Sequence, residues 1–297
     1  MSRTRTSTIC SVPRTNKDDP ARHFTLAGRS SGMAISIRSS FAFTTQAPTD
    51  ALMQFAVADI PEQHLLSCRT DLTDADSCTR IPAQEDIGER VWARADGRFE
   101  VRHEAEVEIR RQIVALDQLE QLRPSEMPAA PVKYLFDSRY CPADKFQSFV
   151  EDQFGRTSGG ARVEAIRSWV ADKFTYSPGS SDASTTALDS FVERRGICRD
   201  YAHMMVTLAR ASVIPARFVA CYAPDVTPPD FHAVAEVFLK DPGSDAGGTW
   251  QLVDATGMGT AEDIVKIGVG RDAADVSFLT TFGMVELCEK TVEVSRS

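Results

Sequence analysis

No uninterrupted apolar stretch in the 297-residue chain approaches the roughly 20 residues that a membrane-crossing helix needs, so no such span is expected. The seven cysteines include no CxxC pair, which removes zinc-ribbon and thioredoxin-type readings. Clustered positive charge is missing as well. With 33 basic against 42 acidic side chains the net charge is -9, which argues against a nucleic-acid partner. Near the start there is no apolar core of the roughly 7–15 residues that a secretory signal carries. An odd number of cysteines without such a signal implies reduced thiols and a cytoplasmic location.

What remains is the composition of a folded globular protein: 42% hydrophobic and 25% charged. At about 150 residues per domain the length suggests two domains. A chain of this size buries about three quarters of its unfolded surface and needs no metal or disulfide to fold. Residues 1–32 stand apart, with six basic groups (Arg3, Arg5, Arg14, Lys17, Arg22, Arg29), two acids (Asp18, Asp19), much Ser and Thr, and few large apolar side chains. Such a segment cannot bury enough to offset the entropy of ordering it. It is expected to be a disordered tail, or a start assigned too early with Met33 the true first residue.

From residue 33 to 118 the pattern is strand-like. Val101, Ala105, Val107 and Ile109 keep period two with Arg and Glu between them, and further short apolar runs lie between turn signals. This predicts a small β-sandwich in which His64 and His103 are ordinary strand polar groups. Residues 119–133, with Pro124, Pro128 and Pro131, read as a linker. Residues 134–297 then form a second domain. It opens with helical stripes at Phe146, Phe149, Val150, Phe154 and at Val163, Ile166, Val170, Phe174, with Trp169 at the edge of the second. A short helix through Leu188, Phe191 and Val192 ends at Gly196, which reads as its C-terminal glycine.

The chemistry gathers after that glycine, in RRGICRDYAHMMVTLARAS. Cys198 opens a long helix, where unsatisfied backbone N–H groups and the helix dipole favour thiolate over thiol. The same N–H groups suit the oxyanion of a tetrahedral intermediate. Two strands follow, FHAVAEVFLK and TWQLVDATG, joined by a Gly-rich turn. As a hairpin they place His232, at the start of one, beside Asp254, at the end of the other. The order Cys198, His232, Asp254 supplies a nucleophile, a base and an orienting carboxylate. His203 lies about 140° round the helix from Cys198, which favours local packing over the chemistry and makes a zinc site with it poor. Asp254 could alternatively cap the turn at Gly257. Arg199 and Arg217 are the nearest cations for a substrate carboxylate.

Residues 134–257 resemble the bacterial transglutaminase-like superfamily through GICRDYAH, HAVAEVF and WQLVDATG. The resemblance implies an α+β fold: a papain-like core of helices on an antiparallel sheet, preceded by a β-rich region. It also implies Cys198 as nucleophile, His232 as general base and acid, and Asp254 as the group orienting His232, with no metal or organic cofactor. Ile197 and Arg199 replace the Gln and Trp that flank the cysteine in animal transglutaminases, and Val234 replaces a common Trp. Hydrolysis of amide bonds in a peptide or small amide is therefore expected through a Cys198 thioester, with transamidation as the variant. An arylamine N-acetyltransferase-like acyltransferase and a non-catalytic binding module on the same fold are the alternatives. Substrate identity and oligomeric state stay open.

Overall fold

The computed structural model describes residues 7–8 and 34–297, apart from 75, 76, 242, 245 and 246. The tail or misassigned start expected over residues 1–32, Met33 and Cys10 all lie outside the described residues. The exception is Ser7–Thr8 (β1), which pairs with Leu72 and Asp71. The β-rich region contributes β2 (Ala34–Thr45), β3 (Thr49–Met53), β4 (Gln63–Leu72), β5 (Thr79–Pro82), β6 (Glu89–Ala95) and β7 (Arg98–Ile109). Alternation along β7 buries Phe99, Val101, Ala105 and Val107 and leaves Arg and Glu outside. Side chains from β2, β4 and β7 meet those of β3 and β6 in one core containing Phe41, Phe43, Met53, Leu72 and Val91. That is the sandwich the pattern predicts.

The second half contains α1 (Ala129–Val132), α2 (Gln147–Phe154), α3 (Gly159–Lys173), β8 (Thr175–Tyr176), α4 (Ala187–Glu193), β9 (Arg195–Gly196) and α5 (Cys198–Ala211). Then come β10 (Ala216–Tyr222), β11 (His232–Leu239), β12 (Thr249–Val253) and β13 (Val265–Gly270), in the antiparallel order β12-β11-β10-β13. Tyr201, Met205 and Leu208 of α5 pack on Ala235, Val237 and Leu239 of β11. The helix is buried well beyond that stripe, from Asp200 to Arg210, because α2, α3 and α4 cover its remaining faces.

Three local expectations change. The proline segment 119–133 is docked rather than free: Lys240 N donates to Glu120 O, Gly160 N to Leu119 O, and Gln121 Nε2 to Ser212 O. Gly196 does not end α4; Arg194 does so in the left-handed conformation, its guanidinium stacked on Phe191 and Trp169. Residues 134–297 are also not one unit. β14 (Leu279–Thr281) pairs with β3, and β15 (Val285–Arg296) pairs with β2 along its length, so the end of the chain returns to the sandwich. Most of β15 is exposed and only Val292 is buried, which leaves little alternation to read.

The two halves share a core in which Ile35, Ile37, Val107 and Val292 meet Tyr222, Val265 and Ile267. Polar groups cross the same boundary. The Tyr222 hydroxyl donates to Phe55 O at 2.7 Å, and the Gln63 side chain bonds both the N–H and the C=O of Lys266. In the middle of β11 the buried Glu236 accepts from Arg217 and Lys266. Arg217 also donates to Glu85, and Lys266 to Glu62, both from the sandwich half. Burial alone would raise the Glu236 carboxyl, but the two cations outweigh it and hold it at about 2.

A depressed carboxylate contributes stability above its ordinary value of 4.5, and that contribution is lost as pH falls toward about 2. Replacing Lys266 with Met leaves part of this buried negative charge uncompensated. Urea unfolding of Lys266→Met should show a loss of about 3–5 kcal/mol at neutral pH, shrinking as pH falls through that interval.

Candidate active site

The site is assembled around the start of α5. Ile197 is extended and Cys198 is the first helical residue. The Asp200 carboxylate reaches back to accept from Ile197 N at 2.8 Å and pairs with Arg199. Gly196 makes room for this: a Cβ there would lie 2.5 Å from Asp200 Cβ. The glycine is thus required by close approach rather than by a helix end. Arg199 also donates to Asp182 O at 2.6 Å, tying the loop after β8 to the helix start.

The β11–β12 hairpin pairs Ala235 with Val253 and so carries Asp254 to His232. His232 Nε2–H donates to Asp254 Oδ2 at 2.8 Å. The same carboxylate accepts from Gly259 N, Thr256 N and the Thr256 hydroxyl, all at 2.7–2.8 Å. Asp254 therefore both holds the imidazole and organises the following turn. Its own carboxyl is held below the usual range: burial raises it, and the bonds from His232 and Thr256 more than reverse that.

His232 is buried, which opposes its charged form. The hydrogen bond to Asp254, the interaction with Cys198 and the negative charge of both outweigh burial and raise it to about 9. Its Nδ1 has no well-formed hydrogen bond among the described residues, leaving that nitrogen for the Cys198 side. Cys198 and His232 line one cavity of about 670 Å³. Elsewhere burial pushes the thiols of Cys78 and Cys141 up, to about 11 and about 12, and that of Cys221 well above its ordinary range.

Other singled-out residues sort by position. His203 is stacked on Tyr140 at 5.1 Å and accepts from Ala273 N; burial holds it well below its ordinary value, hence neutral. His103 is similarly buried, bonded to Thr70 and held at about 4. Arg199 lines the cavity, but Arg217 does not. It is consumed by Glu236 and Glu85 and lies 4.0 Å over the Trp250 ring. Among the described residues no group of three or more His, Cys, Asp or Glu is placed to hold a metal ion.

Tyr176 opens the stretch YSPGSSDASTT, whose turn residues alone point to a loop. Parallel pairing of β8 with β9 sets it opposite Gly196, two residues before the cysteine. It packs beside Cys198 along the same cavity, and burial followed by the cysteine's charge raises its hydroxyl to about 12. No periodicity announces this contact, because it depends on a two-residue strand.

Helices on an antiparallel sheet, with a cysteine at a helix start and a histidine–aspartate pair along one cavity, form a papain-like fold. The transglutaminase-like superfamily core matches residues 147–255. A crystal structure of a candidate cysteine protease from Cytophaga hutchinsonii superposes with a TM-score of 0.80 at 30% identity, covering 90% of this chain and 91% of that one. An uncharacterized protein of Mycobacterium leprae is 29% identical over 120 residues, 39% of this chain and 42% of its own length. One from Mycobacterium tuberculosis is 30% identical over 128 residues, 38% of this chain and 40% of its own. The match thus spans about two fifths of these curated relatives. The chain belongs to the transglutaminase-like superfamily, with the β-rich region preceding the core.

The raised His232 is a stability statement as well. Its interactions stabilise the fold below the ordinary value of 6.5 and are lost as pH rises through about 9. NMR titration of the imidazole should place it near 9 in the wild type. In Asp254→Asn, with carboxylate charge gone and burial retained, the titration should move down by two units or more.

Proposed function

We propose that the protein is a cysteine-dependent amidase or peptidase that works through a thioester on Cys198. The observation that carries this reading is the imidazole of His232, fixed on one side by Asp254 and facing the cysteine side with the other. Sharing a cavity with a cysteine at a helix start, it has the geometry of a nucleophile and its proton partner.

In this reading His232 takes the Cys198 proton, and the thiolate adds to the carbonyl carbon of an amide. The C–N bond breaks, the leaving amine departs with the proton from His232, and the acyl group stays on sulfur. Water then gives its proton to His232 and adds to the thioester, the C–S bond breaks, and acid and thiol are released. A second amine in place of water gives transamidation. In this reading the Cys198 backbone N–H at the helix start and the Tyr176 hydroxyl, which lines the same cavity, are the two donors for the oxyanion. A proton partner at about 9 is charged at neutral pH, which suits delivery of a proton to the amine. Free thiols at all six described cysteines fit a reducing compartment such as the cytoplasm, and no helix among the described residues is long and apolar enough to cross a membrane.

Iodoacetamide at pH 6–7 tests the nucleophile. Cys198 should be alkylated faster than the exposed Cys288, although Cys198 is only 9% exposed, and equal or slower labelling sinks the idea. Amine release from a panel of peptides and acyl-amides should vanish in Cys198→Ala. Tyr176→Phe should lower kcat by roughly a hundredfold or more while leaving Cys198 alkylation within a few-fold of wild type.

A further inference from the structure

The cavity that holds Cys198 and His232 is lined in part from the sandwich side, by Gln54 and by Phe278 and Leu279, which pack on the sandwich core. Gln54 follows β3 and is 2% exposed. Its backbone N–H donates to Phe278 O, but neither its side-chain oxygen nor its side-chain nitrogen has a hydrogen-bond partner among the described residues. A buried amide left unmatched on both atoms costs stability, and a fold keeps one where something else uses it.

The position of that amide is built. A Cβ placed on Gly268 would fall 2.0 Å from Gln54 Nε2, so the glycine leaves the space the side chain occupies. Gly268 of β13 pairs with Ala220 of β10, which pairs with Ala233 of β11, the residue after His232. Paired residues in a sheet point to the same face, and Ala220 and Ala233 line the cavity. A strip carrying nothing larger than methyl groups therefore runs across three strands, from the Gln54 amide to the neighbour of His232. At about 4.8 Å between strands it is about 10 Å long, the reach of about three extended residues. Phe231 and Phe278, stacked at 5.1 Å, make an apolar wall. Lys290, also at the cavity, is already paired with Asp230 at 2.6 Å.

A primary amide offers an acceptor and a donor side by side. That pattern matches the N–H and C=O of one residue in an extended chain, which point to the same edge. We infer that Gln54 is a substrate-positioning residue of the sandwich half, bonding the backbone N–H and C=O of one residue of an extended peptide. That residue lies about three places from the bond Cys198 attacks. The inference deepens the amide-cleaving reading and rests on it for the identity of the attacked bond. It makes the substrate a polypeptide segment rather than a small amide.

Binding read in a Cys198→Ala background separates this inference from the chemistry. The probes are acetyl-capped, C-terminally amidated alanine heptapeptides with one Phe at successive positions, each also made with a single N-methyl group moved along the chain. Calorimetry should find peptides that bind, and Gln54→Leu should weaken them about tenfold or more. One N-methyl position should weaken wild-type-Gln54 binding by a similar factor and add little further loss in Gln54→Leu. Thermal unfolding should show Gln54→Leu and Gln54→Met at least as stable as the parent, since an unmatched amide has been removed, whereas an ordinary structural glutamine would lose stability. Equal affinity in the Leu variant, the absence of a sensitive N-methyl position, or no binding by any peptide overturns the inference. Slow iodoacetamide labelling of wild-type Cys198 with intact peptide binding overturns the thioester reading instead.

Discussion

A carboxylate in the middle of a buried strand must be neutralised, and Glu236 of β11 is neutralised by groups that reach into the sandwich half. Arg217 and Lys266 take its two oxygens, and each cation also meets a second acid from the sandwich, Glu85 for Arg217 and Glu62 for Lys266. Removing one member of such a buried network strands the rest. The charges therefore fix how the sheet carrying His232 lies against the sandwich. The shared apolar core of Ile35, Val107, Tyr222 and Ile267 supplies the adhesion, and the ionic chain supplies the register. The cavity between the halves inherits its shape from that register.

The same economy appears at the start of α5. Cys198 is held by a turn in which Gly196 gives way to Asp200, Asp200 holds Ile197 N, and Arg199 holds both Asp200 and the Asp182 carbonyl. On the other side Asp254 is fixed by two backbone amides and a hydroxyl before it binds His232. Cys198 and His232 thus rest on supports whose own bonds are satisfied by neighbouring loops and turns.

Sequence reasoning reached what short-range pattern can encode. Cys198 was visible because a glycine and a helical run bracket it, and His232 and Asp254 because a hairpin reads as two strands and a turn. The alternation of β7 and the apolar stripes of α2 and α3 were legible for the same reason. The other features depend on long-range pairing. Tyr176 reaches Cys198 through a two-residue parallel bridge, and Gln54 reaches the cavity from a strand that pairs at a distance. Arg217 looked available for substrate because nothing nearby in sequence reveals Glu85 and Trp250. The pairing of β15 with β2 is equally hidden, because a mostly exposed strand shows little alternation.

That last strand carries a consequence for how the molecule is made. β2 is enclosed by β7 on one side and by β15 on the other, and Thr44 and Cys288 meet across 244 residues of chain. During synthesis β2 emerges well before β15 and stays an apolar edge with one ladder unfilled until residues 285–296 have followed it. Closing so long a loop is slow. A nascent chain is therefore open to edge-to-edge association along β2 until β15 arrives, and a ribosome stalled between Asp254 and β15 leaves a product that has its cysteine, histidine and aspartate but not this seam.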